Sequence, residues 1–296
     1  MKVFEIKPNG LCGGVKRAIK MISDALDNPN TKRPIYMLGN LIHNKQVVNS
    51  LVNKGIILVK DNYLGFLDTV KSGTIVFTAH GISPVIYNKA KNKGLDIIDT
   101  TCVHVLNIHK IIKNKIDEGR DVIVVGNETH PEVLGYLGIS PNVHVYNDNL
   151  DIKDGSFVVN QTTLVYDEVL KVFDKIKSKN PHAEILEEIC DATKRRQNAL
   201  KKELDNYDAF IIVGDKLSNN SRSLLDLVIK NNKLGYQVEK VEDLNDINLN
   251  GISSIGITSG ASTPPLVVNE IIKTLEDIES IKEIKSILVD DDYIKI

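Results

Sequence analysis

The sequence predicts an α/β fold made of three similar units. Short apolar runs typical of buried strands, such as residues 122–125 and 210–213, alternate with amphipathic runs typical of helices along the whole chain. This alternation is typical of mostly parallel sheets covered by helices. Cys12, Cys102 and Cys190 recur 90 and 88 residues apart, each just before a helical run. We therefore expect three α/β units in a pseudo-threefold trefoil around a central cavity.

The repeat divides the chain into units of residues 1–99, 100–187 and 188–296, the last carrying an amphipathic C-terminal appendage from residue 278. Each unit holds one cysteine and two polar loops that directly follow a strand-like run. The loops contain His43 and His80 in the first unit, His130, Glu132, Thr162 and Thr163 in the second, and Ser218, Asn219, Asn220 and Ser262 in the third. Because ligands of parallel sheets bind beyond the carboxyl ends of the strands, the loops predict one site in the central cavity.

The composition is that of an ordinary globular protein, with 42% hydrophobic and 26% charged residues. A net charge of -2 gives no bias toward polyanions, so nucleic acid is not an expected partner. The N-terminal residues lack the apolar core of a signal peptide, and no run is long enough to span a membrane. We therefore expect a cytoplasmic protein without membrane attachment. Three cysteines, an odd number in such a chain, argue against a disulfide framework.

The first cysteine stands in an unusually glycine-rich stretch, residues 10–14, between the strand-like residues 3–7 and the helical residues 15–26. Cys12 is thus predicted on a turn at a helix N-terminus. The unpaired amides and the helix dipole favour a thiolate there, and a thiolate is a metal ligand. Glycines on both sides remove side chains from around the sulfur, which leaves room for a bulky group.

Two inorganic centres suit three thiolates. A zinc ion would need a fourth ligand, which His104 or His130 could supply, although structural zinc sites usually take their cysteines in close pairs. A [4Fe–4S] cluster normally uses four thiolates, so three would leave one iron open. That open iron would be a Lewis acid able to bind a substrate oxygen. The residues alone leave both centres possible.

The polar loops are rich in hydrogen-bond donors suited to a phosphate or diphosphate. The sequence has no P-loop motif, which argues against a nucleotide bound in that way. Glu132 and Asp215 are the carboxylates of these loops. Glu132 could simply be an acidic residue in the first turn of a helix. Facing an anionic diphosphate in a closed cavity, it would instead have a raised pKa and act as a proton donor. The remaining histidines are expected to be structural: His104, His109, His144 and His182.

Several motifs, in order along essentially the whole chain, closely resemble the LytB/IspH family of 4-hydroxy-3-methylbut-2-enyl diphosphate reductases. They are Gly10-Leu11-Cys12-Gly13-Gly14-Val15-Lys16-Arg17-Ala18, Ala79-His80-Gly81, Asp99-Thr100-Thr101-Cys102, His130-Pro131-Glu132-Val133, Gln161-Thr162-Thr163-Leu164, Ile189-Cys190-Asp191-Ala192-Thr193 with Arg196-Gln197, and Gly260-Ala261-Ser262. Such a series of matches in one order is far more specific than any single motif.

The resemblance implies the last step of the methylerythritol phosphate route, in which an allylic hydroxyl is removed with two electrons and two protons to give isopentenyl and dimethylallyl diphosphate. It implies that the cysteines hold a [4Fe–4S] cluster whose unique iron takes the substrate hydroxyl. Glu132, with Thr162 nearby, would protonate the departing oxygen, and a ferredoxin or flavodoxin would supply electrons. The implied substrate-binding residues are His43, His80, His130, Thr162, Thr163, Ser218, Asn219, Asn220 and Ser262.

Three departures from the family pattern are visible. Val103-His104 follow the second cysteine where the family typically has proline, which could alter the turn that aims Cys102. Asn219 stands where the family commonly has a second serine, so an amide replaces one hydroxyl donor of the diphosphate contacts. Residues 263–265 stand where an acidic residue is often found, and we expect little consequence there.

Overall fold

The structure is a computed structural model that describes residues 1–277. Within these residues, three sheets of four strands each are covered by helices. The strands are β1 (Lys2–Glu5), β2 (Ile35–Leu38), β3 (Ile56–Val59), β4 (Thr74–Phe77), β5 (Asp96–Asp99), β6 (Val122–Val125), β7 (Val143–Val145), β8 (Phe157–Asn160), β9 (Glu184–Leu186), β10 (Ala209–Val213), β11 (Leu234–Val238) and β12 (Ser254–Ser259). The appendage predicted from residue 278 lies outside the described residues.

Ten α-helices and one 3₁₀ helix, Val241–Asp246, connect these strands within the described part of the chain. The α-helices are α1 (Gly13–Asp27), α2 (Lys45–Asn53), α3 (Tyr63–Thr69), α4 (Pro84–Asn92), α5 (Val103–Asp117), α6 (Pro131–Leu137), α7 (Tyr166–Lys179), α8 (Asp191–Glu203), α9 (Asn219–Lys230) and α10 (Pro265–Asp277).

The three sheets repeat one parallel topology. Their strand orders are β3-β2-β4-β5, β7-β6-β8-β9 and β11-β10-β12-β1, and every neighbouring pair is parallel. Four inner strands, β4, β6, β8 and β10, are buried at every residue, as expected for strands covered on both faces. The predicted α/β fold of three similar units is therefore confirmed.

The N-terminal strand is the exception to the order of the units along the chain. β1 pairs with β12, with Val3 opposite Ile255, so the start of the chain completes the third sheet. Cys12 therefore follows an outer strand of the third sheet, although the repeat placed it with the first unit. Cys102 follows β5 and Cys190 follows β9, the equivalent outer strands of the other two sheets. The unit boundaries at residues 99 and 187 stay a prediction.

Contacts group the described residues into two compact units. Unit I consists of residues 1–13, 43–50 and 191–277 and contains the third sheet. Unit II consists of residues 14–42 and 51–190 and contains the other two sheets.

Each unit has apolar layers on both faces of its sheets because side chains alternate along a strand. In unit I, Ile211 and Val213 of β10 pack in one buried cluster, whereas Phe210 and Ile212 pack in another. In unit II, β6 divides in the same way between two clusters. The inner strands are thereby fixed between helices, and their carboxyl ends hold the polar loops in defined positions.

Candidate active site

All three cysteine loops are anchored by the same backbone hydrogen bond. The amide of each cysteine donates to a carbonyl in the loop that follows the neighbouring inner strand. The bonds are Cys12 N to Ala261 O (2.9 Å), Cys102 N to Ala79 O (3.0 Å) and Cys190 N to Thr162 O (3.0 Å). Each bond lies within one unit. The repeat read from the cysteine spacing thus extends to the contacts that hold each cysteine.

The cysteines have the chemistry of metal ligands. All three are half-buried cysteines outside any disulfide, and each directly precedes a helix, α1, α5 or α8. A helix N-terminus stabilises a thiolate through its unpaired amides and its dipole. None of the three is fully buried, so each cysteine is suited to act as a metal ligand.

The helix after the second cysteine begins without the proline that is typical of the family pattern. Cys102 is the N-cap of α5 with extended backbone angles, φ −58° and ψ 137°, and the helix begins at Val103. The Val103 side chain is 58% exposed and His104 is also exposed, so both point away from the packed interior. Proline is therefore not required to start this helix directly after the cysteine.

Two histidines of unit II lie side by side. The rings of His80 and His130 meet edge to face, with centroids 5.4 Å apart. The imidazole of His130 is buried and accepts a hydrogen bond at Nδ1 from the backbone amide of Glu132 (3.2 Å), which caps α6. Since Nδ1 is an acceptor, a neutral His130 carries its proton on Nε2. That N–H has the polarity needed to bind an anion.

Glu132 is buried and strongly hydrogen-bonded in unit II. It is only 2% exposed, although it lies in the first turn of α6. Its carboxylate accepts from Thr162 N at 2.7 Å, from Thr162 Oγ1 at 3.0 Å and from the Tyr136 hydroxyl at 3.0 Å. Burial raises the pKa of Glu132, and the three hydrogen bonds partly oppose this rise. The carboxylate therefore bonds to the loop after β8 and to the Tyr136 hydroxyl, and which of its two predicted roles it fills stays a prediction.

Thr162 joins the buried acid to a cysteine loop. Its amide and hydroxyl both donate to Glu132, whereas its carbonyl accepts from Cys190 N. The next residue, Thr163, is half-buried and accepts from Gln161 Nε2 at 3.4 Å. Thr162, in the loop after β8, therefore holds both the Glu132 carboxylate and the backbone of Cys190, a candidate metal ligand.

In unit I, Asn220 of α9 joins α8 to the loop after β12. Its amide oxygen accepts from Ala261 N (3.0 Å), and its amide nitrogen donates to Thr193 Oγ1 (2.6 Å). Ser262 donates its hydroxyl to the carbonyl of His43 at 3.0 Å. Of the Asn220 donors, one N–H remains for a ligand, and Ser262 must rotate its hydroxyl before it can donate elsewhere.

The other predicted residues of the α9 loop differ in their environment. Ser218 is buried and caps α9 by accepting from Ser221 N at 3.4 Å, so its own hydroxyl proton is still a donor. Asn219 is the half-buried first residue of the helix. Its effect on diphosphate contacts stays a prediction.

His43 in unit I is suited to bind as a neutral donor. Burial lowers the pKa of its imidazole, and the nearby Asp215 carboxylate partly opposes that shift. The following residue, Asn44, caps α2 by accepting from Val47 N at 3.0 Å. The helix start thus fixes the backbone beside His43.

Arg196 supports the Cys12 loop in a way the sequence reading missed. Its side chain is 4% exposed and donates to the carbonyls of Gly10 (2.6 Å) and Ala192 (3.0 Å). The motif around Arg196 was visible in the sequence, but no periodicity relates it to Gly10. Tyr136 was missed as well. Residues four apart on a helix are neighbours, so the spacing from Glu132 would have indicated this contact once α6 was known.

Parallel sheets whose carboxyl ends carry thiols, imidazoles and a buried acid define an α/β enzyme. A buried carboxyl group with a raised pKa beside such loops is characteristic of proton-transfer chemistry.

The LytB protein family model matches residues 3–276, and the chain belongs to this family. A 4-hydroxy-3-methylbut-2-enyl diphosphate reductase of Lysinibacillus sphaericus is 39% identical over 94% of this chain and 89% of its own length. The reductase of the same name from Bacillus cereus is 40% identical over 93% and 90%.

Solved structures agree with the family assignment. The E-1-hydroxy-2-methyl-but-2-enyl-4-diphosphate reductase from Plasmodium falciparum is similar with a TM-score of 0.87 and 30% identity, over 99% of this chain and 96% of that one. Another (E)-4-hydroxy-3-methyl-but-2-enyl diphosphate reductase, described as the terminal enzyme of the non-mevalonate pathway, has a TM-score of 0.66 and 31% identity over 94% and 100%.

Residues 1–277 contain no helix that is both long enough and apolar enough to pass through a bilayer.

Gly260, in the loop after β12, lies too close to Ser221 to accept a side chain. A Cβ at Gly260 would lie 2.0 Å from Ser221 Oγ, a side chain that is fully buried. Gly260→Ala should therefore lower the free energy of unfolding by about 1–3 kcal/mol through overpacking. Thermal unfolding measures this loss.

A second change distinguishes overpacking from a backbone effect. Ser221→Gly removes the clashing atoms, although glycine in a helix costs about 1 kcal/mol by itself. We expect the Gly260→Ala, Ser221→Gly double variant to unfold at a higher temperature than Gly260→Ala. A double variant less stable than either single variant would show that the close approach is not the cause.

Proposed function

We propose that this chain is a 4-hydroxy-3-methylbut-2-enyl diphosphate reductase. The observation that carries the proposal is the buried Glu132 carboxyl group, bonded to Thr162 in a chain that belongs to the LytB family. Relatives that bear this name match more than nine-tenths of the chain. The reaction breaks the allylic C–O bond, takes up two electrons and two protons, and releases water with isopentenyl or dimethylallyl diphosphate.

The proposed cofactor is a [4Fe–4S] cluster held by Cys12, Cys102 and Cys190, with one iron open. Support comes from the donor chemistry of three half-buried thiols at helix starts and from the repeated anchoring of their backbone amides. When bound, such a cluster supplies electrons and a Lewis-acidic iron for the substrate hydroxyl. A ferredoxin or flavodoxin is the proposed electron donor, as the family resemblance implies.

The proposed diphosphate contacts include several neutral hydrogen-bond donors. His130 presents an Nε2–H because Nδ1 is occupied, and burial favours the neutral form of His43. Ser218 contributes a hydroxyl proton and Asn220 one amide N–H. The wider proposed set is His43, His80, His130, Thr162, Thr163, Ser218, Asn219, Asn220 and Ser262.

Glu132 is the proposed proton donor to the departing oxygen. Its raised pKa favours the acid form, which has a proton to give. The Thr162 hydroxyl lies 3.0 Å from Oε2. When Oε2 carries the proton, the hydroxyl oxygen can accept a hydrogen bond from it and still act as a donor itself, which orients the acid.

Replacing the acid tests its role directly. Glu132→Gln should lower kcat by about a hundredfold or more, because the amide cannot donate a proton of suitable acidity. The KM for the allylic diphosphate should change little, since the amide can keep the hydrogen bonds to Thr162 and Tyr136. The assay uses anaerobic protein, the allylic diphosphate and a reduced viologen dye. Full turnover in this variant would remove Glu132 from the mechanism.

The same variant predicts a pH-dependent difference in stability. Because the pKa of Glu132 is raised in the folded state, the folded protein holds a proton on Glu132 at pH values where the unfolded chain has lost it. The contribution of this group to the free energy of unfolding therefore falls as the pH rises above the pKa of Glu132 in the unfolded chain. The glutamine side chain of the variant has no such charge to bury. Glu132→Gln should therefore gain in melting temperature over the wild type from acidic to neutral pH. A constant difference across that range would contradict the raised pKa.

The cofactor proposal is tested by metal analysis of anaerobically purified protein. The wild type should be brown and contain about four irons and four labile sulfides per chain. Cys12→Ser, Cys102→Ser and Cys190→Ser should each lose iron while far-UV circular dichroism stays unchanged. A colourless zinc protein, or a Cys190→Ser variant with its full cluster, would overturn the shared centre.

A further inference from the structure

Tyr136 is a buried tyrosine that contacts the proposed proton donor. It is 0% exposed and lies one helical turn after Glu132 on α6. Its hydroxyl donates to Glu132 Oε1 at 3.0 Å. None of the motifs in the sequence includes it, and the mechanism above does not use it.

The ring of Tyr136 is firmly held in the core of unit II. It packs in a cluster with Val105, Val133 and Phe157. The ring of His109 meets it edge to face, with centroids 5.1 Å apart. Burial lowers the pKa of His109 to about 4, with Asp99 opposing, so this ring is neutral near pH 7. The ring is therefore held by apolar packing and by a neutral imidazole, and this fixes where its hydroxyl meets Glu132.

The two oxygens of Glu132 have different hydrogen-bond partners. Oε1 accepts from two donors, Thr162 N and the Tyr136 hydroxyl. Oε2 accepts from one, the Thr162 hydroxyl. A carboxyl oxygen has two lone-pair sites, so both sites of Oε1 are occupied. A proton added to this carboxyl group must then reside on Oε2.

We propose that Tyr136 is a positioning residue that confines the transferable proton of Glu132 to Oε2, the oxygen beside the Thr162 hydroxyl. The proposal rests on the proposed function of Glu132 as proton donor. Without the phenol hydroxyl, one site of Oε1 becomes free, and the proton is shared between two oxygens that face different directions. Only one of the two orientations then presents the proton beside Thr162, and turnover falls.

Tyr136→Phe removes the hydroxyl and keeps the ring that fills the core. We expect kcat to fall by about ten- to a hundredfold, as for loss of a hydrogen bond to a charged or reacting group, with KM for the diphosphate unchanged. The matched control is Tyr146→Phe, which removes a phenol–carboxylate hydrogen bond of 3.0 Å to the exposed Asp148 in the same unit. The control should keep the kcat of the wild type.

Isotope-edited infrared spectroscopy gives a readout that does not depend on activity. In protein labelled with ¹³C-glutamate, the acid C=O stretch that disappears in Glu132→Gln belongs to Glu132. If Oε1 is the carbonyl oxygen, Tyr136→Phe removes one of its two hydrogen bonds, and the band should move to higher wavenumber. The band should stay in place in Tyr146→Phe.

The outcomes separate this inference from the proposed function. An unchanged band, or an unchanged kcat, in Tyr136→Phe would overturn the assignment of Tyr136. A wild-type protein that fails to turn over the allylic diphosphate would overturn the proposed function, while the infrared shift would still report which oxygen carries the proton.

Discussion

The rest of the candidate site depends on the hydrogen bond that each cysteine amide makes to the loop after the neighbouring inner strand. These loops leave the carboxyl ends of buried parallel strands, where the backbone is fixed on both faces of the sheet. In unit II, the carbonyl of Thr162 holds Cys190 while the amide and hydroxyl of Thr162 hold Glu132. A metal-ligand candidate and an acid are thus set by one residue, and a shift of this loop would move both.

Burial and hydrogen bonding act on Glu132 in opposite directions, and the site needs both. Desolvation alone would make the carboxyl group too weak an acid to give up its proton easily, whereas full solvation would leave it ionised and without a proton to give. In the proposed reaction, three donors from Thr162 and Tyr136 would stabilise the carboxylate that remains after proton transfer. Burial thus favours the acid form, and the hydrogen bonds would accommodate the charge once the proposed proton transfer has occurred.

The sequence predicted the inner strands well because their burial on both faces produces short, uninterrupted apolar runs, as in β6 and β10. It did not single out β5, whose sequence Asp-Ile-Ile-Asp carries charges at both ends. It also could not assign β1 to a sheet, because β1 pairs with β12, which lies near the other end of the described residues, and no local sequence pattern indicates so distant a pairing. Cysteine spacing and loop chemistry identified most candidate residues, but Tyr136 and Arg196 act through side-chain contacts that only the fold reveals.

Several donors expected to bind the diphosphate already have partners in unit I. Asn220 bonds to Ala261 and Thr193, and Ser262 donates to His43 O. These bonds hold the loops in a preformed arrangement, which reduces the entropy that a ligand would lose by ordering them. A diphosphate must then compete with the existing bond of Ser262, whereas the remaining N–H of Asn220 and the hydroxyl proton of Ser218 carry no such cost. Under the proposed function, the contribution of unit I to diphosphate affinity therefore rests more on Asn220 and Ser218 than on Ser262.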